Sequence, residues 1–238
     1  MTGLSYVGSE LEIFSRASNW KAYYGRIIRR HLAGDVLEVG AGIGATTRSL
    51  CDGSQRRWVC LEPDLGMLSR LKDEMRDGHL PPCCEAASGV IKDLGAGELF
   101  DAILYIDVLE HIEADGEEVR AAAAHLKPSG KLIVLAPAHQ WLYTPFDKAI
   151  GHFRRYNKRS LTSIIPEDLE CIELRYLDSV GLIASLGNKL ILKSSMPTDR
   201  QIALWDRVMI PASRLIDPLS GYRVGKSVLG VWRKKPLT

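Results

Sequence analysis

Apolar residues gather along the chain in short solid runs, separated by stretches in which they recur at helical spacing. Asp35-Val-Leu-Glu-Val39, Trp58 to Leu61, Cys84 to Ala87, Phe100 to Ile106 and Lys131 to Ala136 have the length and apolar content of strands. Between them, Leu65 to Arg76 is amphipathic, and Gly116 to Leu126 is Ala-rich and stopped by Lys-Pro-Ser-Gly. Strands that alternate with helices predict a parallel sheet covered on both faces, because each parallel pair needs a crossover that returns over the sheet.

Ser9 to His31 reads as a helix with Trp20, Tyr23, Tyr24, Ile27 and Ile28 along one face. After Ala136 the alternation breaks into a polar, aromatic segment from Pro137 to Tyr156. A short helix over Lys158 to Ile165 follows, with Asn157 placed to cap it. Glu170 to Tyr176 and Ser227 to Trp232 read as two late strands added to the sheet as a hairpin, separated by a mostly helical insertion from Leu182 to Pro218. The expected fold is α/β: a Rossmann-like, mostly parallel seven-stranded sheet with helices on both faces. A single domain over 1–238 is expected, with a helical lid over 1–33 and a helical insertion over 182–222 before the last strand.

At 238 residues with 46% hydrophobic content the chain can bury a full core, and a formal net charge of +2 supplies no electrostatic reason for a nucleic-acid partner. The five cysteines show no metal-ligand or redox spacing, and the adjacent Cys83-Cys84 suits no ordinary structural disulfide, so no metal site is expected and a reducing cytoplasm fits best. No secretory leader is expected, since no basic segment followed by an apolar core opens the sequence, and the longest apolar stretches fall far short of a membrane span.

Chemistry enters at Gly40-Ala41-Gly42-Ile43-Gly44, where a strand gives way to a helix and open α/β sheets bind ligands. The stretch also satisfies a loose dinucleotide pattern. Glu38 argues against that reading, since a carboxylate two residues before the loop is badly placed beside a pyrophosphate and well placed beside an amino-acid ammonium. Glu62, just after the second strand, is set to accept hydrogen bonds from ribose hydroxyls, and Asp64 to cap the next helix.

Val36-Leu-Glu-Val-Gly-Ala-Gly-Ile-Gly-Ala-Thr-Thr47, Leu61-Glu-Pro-Asp64, Tyr105-Ile-Asp-Val-Leu-Glu-His-Ile112 and Leu126-Lys-Pro-Ser-Gly-Lys-Leu132 come in that order. Together they resemble the successive motifs of class I S-adenosylmethionine-dependent methyltransferases of the stand-alone, small-molecule type. The resemblance implies S-adenosyl-L-methionine as cofactor. Glu38 and the loop Gly40, Ala41, Gly42 and Gly44 would then hold the methionine amine and carboxylate, and Glu62 the ribose. Pro63 and Met67 would flank the nucleoside, Gly89 and Val90 would lie beside the adenine, and Asp107 and Val108 would close the other side. Ser88-Gly89-Val90 lacks the acidic residue that many relatives place there. His111 is expected to orient its turn.

The segment after the fifth strand is the expected acceptor wall. His139, Asp147 and His152 are candidates for base or hydrogen-bond partner, with Tyr143 beside them and Tyr176 at the end of the sixth strand pointing to the same crevice. Arg154 or Arg155 would clamp an anionic group, and Asp147 with an arginine would equally serve to tie the loop down. The expected reaction is in-line displacement at the sulfonium methyl by a small molecule. Attack at another carbon, releasing methylthioadenosine, and nucleoside binding without chemistry stay open. Expected partners are a small-molecule substrate and no nucleic acid, with the protein a monomer or homodimer. The insertion is left to roof a substrate, form a dimer contact, touch a membrane surface or close the core.

Overall fold

The computed structural model describes residues 17–187 and 198–236. Seven strands form one sheet: β1 (Asp35–Val39), β2 (Arg57–Glu62), β3 (Cys84–Ser88), β4 (Phe100–Ile106), β5 (Leu126–Pro137), β6 (Leu169–Leu177) and β7 (Ser227–Lys234), in the order β3-β2-β1-β4-β5-β7-β6. The pairs joining β1 to β5 are parallel, whereas β7 runs antiparallel between β5 and β6. The late hairpin is therefore inserted into the edge of the sheet, with its second strand inside.

Side-chain alternation along these strands feeds two cores, one on each face. Val36, Trp58, Cys60, Ala102, Leu104 and Ile133 point to one, together with Trp20, Tyr23, Tyr24 and Leu71. Leu37, Val59, Leu61, Ile103, Tyr105 and Leu132 point to the other, together with Val119, Ala122 and Leu161. The helices are α1 (Ser18–Ile28), α2 (Ala45–Leu50), α3 (Leu65–Arg76), α4 (Asp115–Ala124), α5 (Pro145–Ala149), α6 (Lys158–Ser163), α7 (Ser179–Gly187), α8 (Asp199–Leu204) and α9 (Ile210–Leu219). As their positions predict, Asp64 and Asn157 cap α3 and α6, their side chains accepting from the Met67 and Ser160 amides.

One boundary differs from the sequence reading. Lys127-Pro-Ser-Gly130 does not end a helix; it lies inside β5, where the pairing with β4 shifts register between Phe100 and Ala102 and Ser129 takes φ +65°. Only glycine suits position 130, because a Cβ there would lie 2.8 Å from the Lys127 carbonyl oxygen. The N-terminal helix is described from Ser18 onward, so its expected start at Ser9 lies outside the described residues. So do all but the first two residues of the apolar run Leu186 to Leu192.

Three buried carboxylates fasten α1 and the insertion to the sheet. Asp206, in a π-helical turn over Trp205–Met209, accepts from the Asn19 and Trp20 amides. Asp217 accepts from the Tyr23 hydroxyl at 2.7 Å and the Asp178 amide at 2.7 Å. Asp178 in turn accepts from Gly181, Ser213 and Trp205. The Trp20 and Trp205 rings meet at 5.9 Å. The aromatic face of α1 is thus packed inward, with Trp20, Tyr23 and Tyr24 all buried. Ile183, Leu204, Val208, Leu215 and Leu219 of the insertion are exposed, and no described helix is long and apolar enough to cross a membrane.

Candidate active site

The chain leaves β1 toward β2 on one side and returns through β4 on the other, so a crevice opens between the C-terminal ends of β1 and β4. Gly40 and Ala41 donate to the Leu61 carbonyl at 2.8 and 3.2 Å, and Gly42 donates to Glu62 Oε2 at 2.7 Å. The glycine loop is therefore hung on the exit of β2. Gly40 has φ +68°, and a Cβ there would lie 2.7 Å from Val108, so loop and β4 exit touch. At Gly42, with φ +56°, a Cβ would meet nothing within 4 Å among the described residues; this residue borders space that a ligand can fill.

Glu62 is buried, and its Oε1 accepts from the Asp64 amide at 2.9 Å. Each oxygen keeps a lone pair for a hydroxyl; burial pushes the carboxyl up. Gly89 donates to the Glu62 carbonyl, which brings the exit of β3 alongside. Around this point Val90 is 38% exposed, Leu65 is 71% exposed, and Pro63 and Met67 are half-buried. These apolar groups give a flat base a surface to lie on.

Glu38 sits beneath the loop. Its Oε2 accepts from Thr47 Oγ1 at 2.7 Å and Trp58 Nε1 at 2.9 Å, and burial raises its carboxyl to about 7 against these two hydrogen bonds. Asp107, at the end of β4, adopts φ +54° and donates its amide to the Leu135 carbonyl. Its side chain is open to water in the crevice yet surrounded by protein. That enclosure raises its carboxyl to about 6, against the fields of His152, Lys21 and Lys226. A cavity of about 420 Å³ adjoins the outer side of the loop, lined by Lys21, Ile43, Ala45, Arg48, Arg70 and Glu74. Lys21 is lowered to about 8 by burial.

Beyond Asp107 the character of the site changes from backbone to side chains. His139 has φ +68°, its Nε2 lies 3.0 Å from the Gly225 carbonyl, and its ring lies between Trp141 at 5.3 Å and Tyr176 at 4.8 Å. Nε2 therefore carries the proton and Nδ1 is the acceptor; burial lowers the imidazole. Tyr176 accepts from the Lys158 amide through its hydroxyl.

Asp147 is fully buried. Its Oδ2 accepts from the Thr144 amide and hydroxyl, and its Oδ1 from Arg155 at 2.8 Å and His152 Nδ1 at 3.0 Å. Burial opposes ionisation, but these donors hold the carboxyl well below the usual range. Asp147 is thus the anchor of the loop and the orienting partner of His152, with both oxygens engaged. Arg154 pairs with Asp115 at 2.7 Å, so both arginines of the Arg154-Arg155 pair serve the loop itself. Tyr143 donates to the His152 carbonyl at 2.5 Å.

The structure adds groups that spacing along the chain did not disclose. His152 Nε2 lies 3.9 Å from Glu110 Oε1, and the His111 and His152 rings meet edge to face at 4.5 Å. Glu110, His111 and His152 offer ligand atoms within 4.8 Å of one another and can hold a divalent cation. Glu110 Oε2 is buried with no hydrogen-bond partner among the described residues, and burial raises that carboxyl strongly. His111 is lowered to about 4 by burial and by His152, so it is neutral at pH 7. Lys226, lowered by burial, faces Asp178, Arg155, Asp107 and Asp147 from just before β7.

A Rossmann-like sheet with a glycine loop after the first strand and a carboxylate after the second defines a nucleoside-cofactor protein. Comparison with known proteins narrows the class. Residues 37–132 match the family model of a methyltransferase domain. The ubiquinone biosynthesis O-methyltransferase of Xanthomonas axonopodis pv. citri (strain 306) is 31% identical over 102 residues, 42% of this chain and 41% of that protein. The chain spans about two fifths of the length of the curated relatives it matches. Among solved structures, the 4+2 cyclase SpnF superposes with a TM-score of 0.63 at 16% identity over 91% of this chain and 81% of that one. An S-adenosylmethionine-dependent methyltransferase from Clostridium acetobutylicum gives 0.58 at 13% identity over 92% of each chain. Residues 37–132 thus carry a methyltransferase domain, which implies S-adenosyl-L-methionine as the cofactor. The open space at Gly42, the lone pairs of Glu62 and the apolar edge at Val90 fit that molecule.

Proposed function

We propose that the protein methylates a small molecule, at an oxygen of an aromatic or largely apolar acceptor, and does so in the cytoplasm without nucleic acid as substrate. Bound S-adenosyl-L-methionine supplies an electrophilic methyl group on a sulfonium. Glu62 takes the ribose hydroxyls, and Pro63, Met67, Gly89 and Val90 flank the base. The glycine loop with Lys21 receives the amino-acid end, where a cation suits the carboxylate, while Glu38 supports the loop from below. Asp107 and Val108 separate this half from the acceptor.

On the acceptor side His139, Trp141 and Tyr176 form a wall against which an aromatic ring packs. His152 is the base. Asp147 holds Nδ1–H and so leaves Nε2 to take a proton from the acceptor hydroxyl, at the point where Glu110, His111 and Asp107 converge. The observation that carries this reading is the buried Asp147–His152 pair: an imidazole fixed in one tautomer by an ionised carboxylate, beside a strained residue at the mouth of a nucleoside crevice. Oxygen as the acceptor atom is favoured by the O-methyltransferases among the curated relatives.

The test is mass spectrometry of the purified protein incubated with cofactor deuterated in the methyl group and with a small-molecule extract. S-adenosylhomocysteine and a metabolite carrying the labelled methyl are expected. Methylthioadenosine formed without a second substrate would show that another carbon is attacked and would overturn the assignment.

A further inference from the structure

Four of the five cysteines come from β2, β3 and the end of α2, and three of them meet at the opposite end of the sheet from the crevice. Cys51 is the C-cap of α2, and Cys83 and Cys84 lie where the chain enters β3. The Trp58 amide, donating to the Cys83 carbonyl at 2.8 Å, fixes that entry against β2. Cys51 Sγ is 3.6 Å from Cys83 Sγ and 3.7 Å from Cys84 Sγ, and all three sulfurs lie within 4.8 Å of one another.

We propose that Cys51, Cys83 and Cys84 form a three-thiolate site for a thiophilic cation of the zinc type, with the fourth position open to water. The distances are those of a preformed site. A tetrahedral metal with sulfur at about 2.3 Å has sulfur–sulfur edges of roughly 3.8 Å, and the two separations at Cys51 fall just inside this. A disulfide from Cys51 engages one of the adjacent pair and leaves the other, whereas a cation engages both. Binding releases the thiol protons to solvent, and each sulfur donates an electron pair to the metal. Cys51 is buried while Cys83 and Cys84 are half-buried, so the open side faces the surface at the adjacent pair. A bound cation joins the end of the helix that starts at the glycine loop to the start of the strand that ends beside Glu62. It therefore braces two cofactor-binding elements from below.

The site is tested with the full chain, reduced and freed of metal by chelator, titrated with Co²⁺ under argon. One equivalent is expected to give the intense visible bands of tetrahedral cobalt thiolate, displaced by Zn²⁺. The bands should vanish in Cys51→Ser and in the more exposed Cys83→Ser and Cys84→Ser, and persist in Cys171→Ser, whose thiol lies exposed on β6. Zn²⁺ should also protect Cys51, Cys83 and Cys84 from alkylation, mapped by peptide mass spectrometry; circular dichroism checks that each variant is folded. Absent bands, bands that survive in folded Cys83→Ser and Cys84→Ser, or a Cys51 disulfide in air that zinc does not prevent would each overturn the proposal. None of these readouts depends on catalysis.

Discussion

The two halves of the crevice are built differently. From β1 to β3 the crevice is shaped by backbone: a glycine loop hung on Leu61 and Glu62, a strand end, and a capped helix start. From β5 onward it meets side chains held by other side chains, with Asp147 gripping His152 and Arg155, and His139 lying between Trp141 and Tyr176. The first kind of site tolerates little change at a few positions and is common to many acceptors. The second can be rebuilt residue by residue, which is how one fold serves many substrates. If this contrast is right, substitutions in the two halves should separate binding from turnover.

The largest effect is expected from Gly42→Val. The residue sits at φ +56°, and the added side chain enters the open space of the crevice. A β-branched residue is strained there by roughly 1–2 kcal/mol, which the fold can absorb, whereas the occupied volume is not recoverable by the ligand. Calorimetry should show no binding of S-adenosyl-L-methionine to a variant with a cooperative melt. Normal affinity in a folded variant would dissolve the contrast, because the backbone half would no longer be the cofactor half.

A smaller but sharper separation is expected from His152→Ala. Losing a positioned base costs about 10²–10⁴-fold in turnover, while cofactor affinity should stay within a few-fold because β1 to β3 are untouched. His152→Gln, which can keep a hydrogen bond to Asp147, should remain as slow as the alanine variant if proton transfer is the role, and should recover if His152 only holds the loop. Single-turnover rates for the two variants decide between these.

The same contrast explains what could be read from the chain. The cofactor half is contiguous: a strand, a glycine turn and a capped helix occupy neighbouring positions, so spacing alone exposes Gly40 to Gly44, Glu62 and Asp64. The central strands β1, β2 and β4 are equally plain, because each is a largely apolar run that the sheet buries on both faces, whereas β3 and β6 at the sheet edges are only partly buried. Elsewhere the information is distributed. His152 meets Glu110 and His111, and Cys51 meets Cys83 and Cys84, only because the sheet order folds distant segments together. The helix expected to stop at Lys127-Pro-Ser-Gly130 ends earlier, since the register shift opposite Phe100 draws those residues into β5. Likewise nothing local to Asp178, Asp206 or Asp217 announces that they fasten α1 and the insertion. Their partners, Tyr23 and Trp20 among them, lie far away in the sequence.

Glu38 gives the smallest expected effect and bears on the carboxylate that the fold buries beneath the glycine loop. Its carboxyl rises from 4.5 to about 7 in the fold because it is buried, with hydrogen bonds from Thr47 and Trp58 only partly offsetting the cost. The unfolded chain releases this proton above about pH 4.5 and the native protein holds it to about 7, so the unfolded state binds fewer protons in that window and stability falls as pH rises through it. The shift corresponds to at most about 3 kcal/mol, less whatever water and relaxation recover. In Glu38→Gln the amide oxygen still accepts from Thr47 and Trp58 and nothing titrates. Urea melts at pH 5 and pH 8 should therefore show wild type losing stability relative to the variant between the two values, with little further change above pH 8. Saturating S-adenosyl-L-methionine sharpens the test. If its ammonium lies over the loop within reach of Glu38, the positive charge favours the carboxylate and the difference between the two pH values should shrink. If the difference is unaltered by cofactor, Glu38 acts only through Thr47 and Trp58, and the ammonium is met by Asp107 or by the backbone of the loop. A wild-type protein with no loss between pH 5 and pH 8 would mean that Glu38 is ionised in the free fold and already compensated, which would return it to the open crevice.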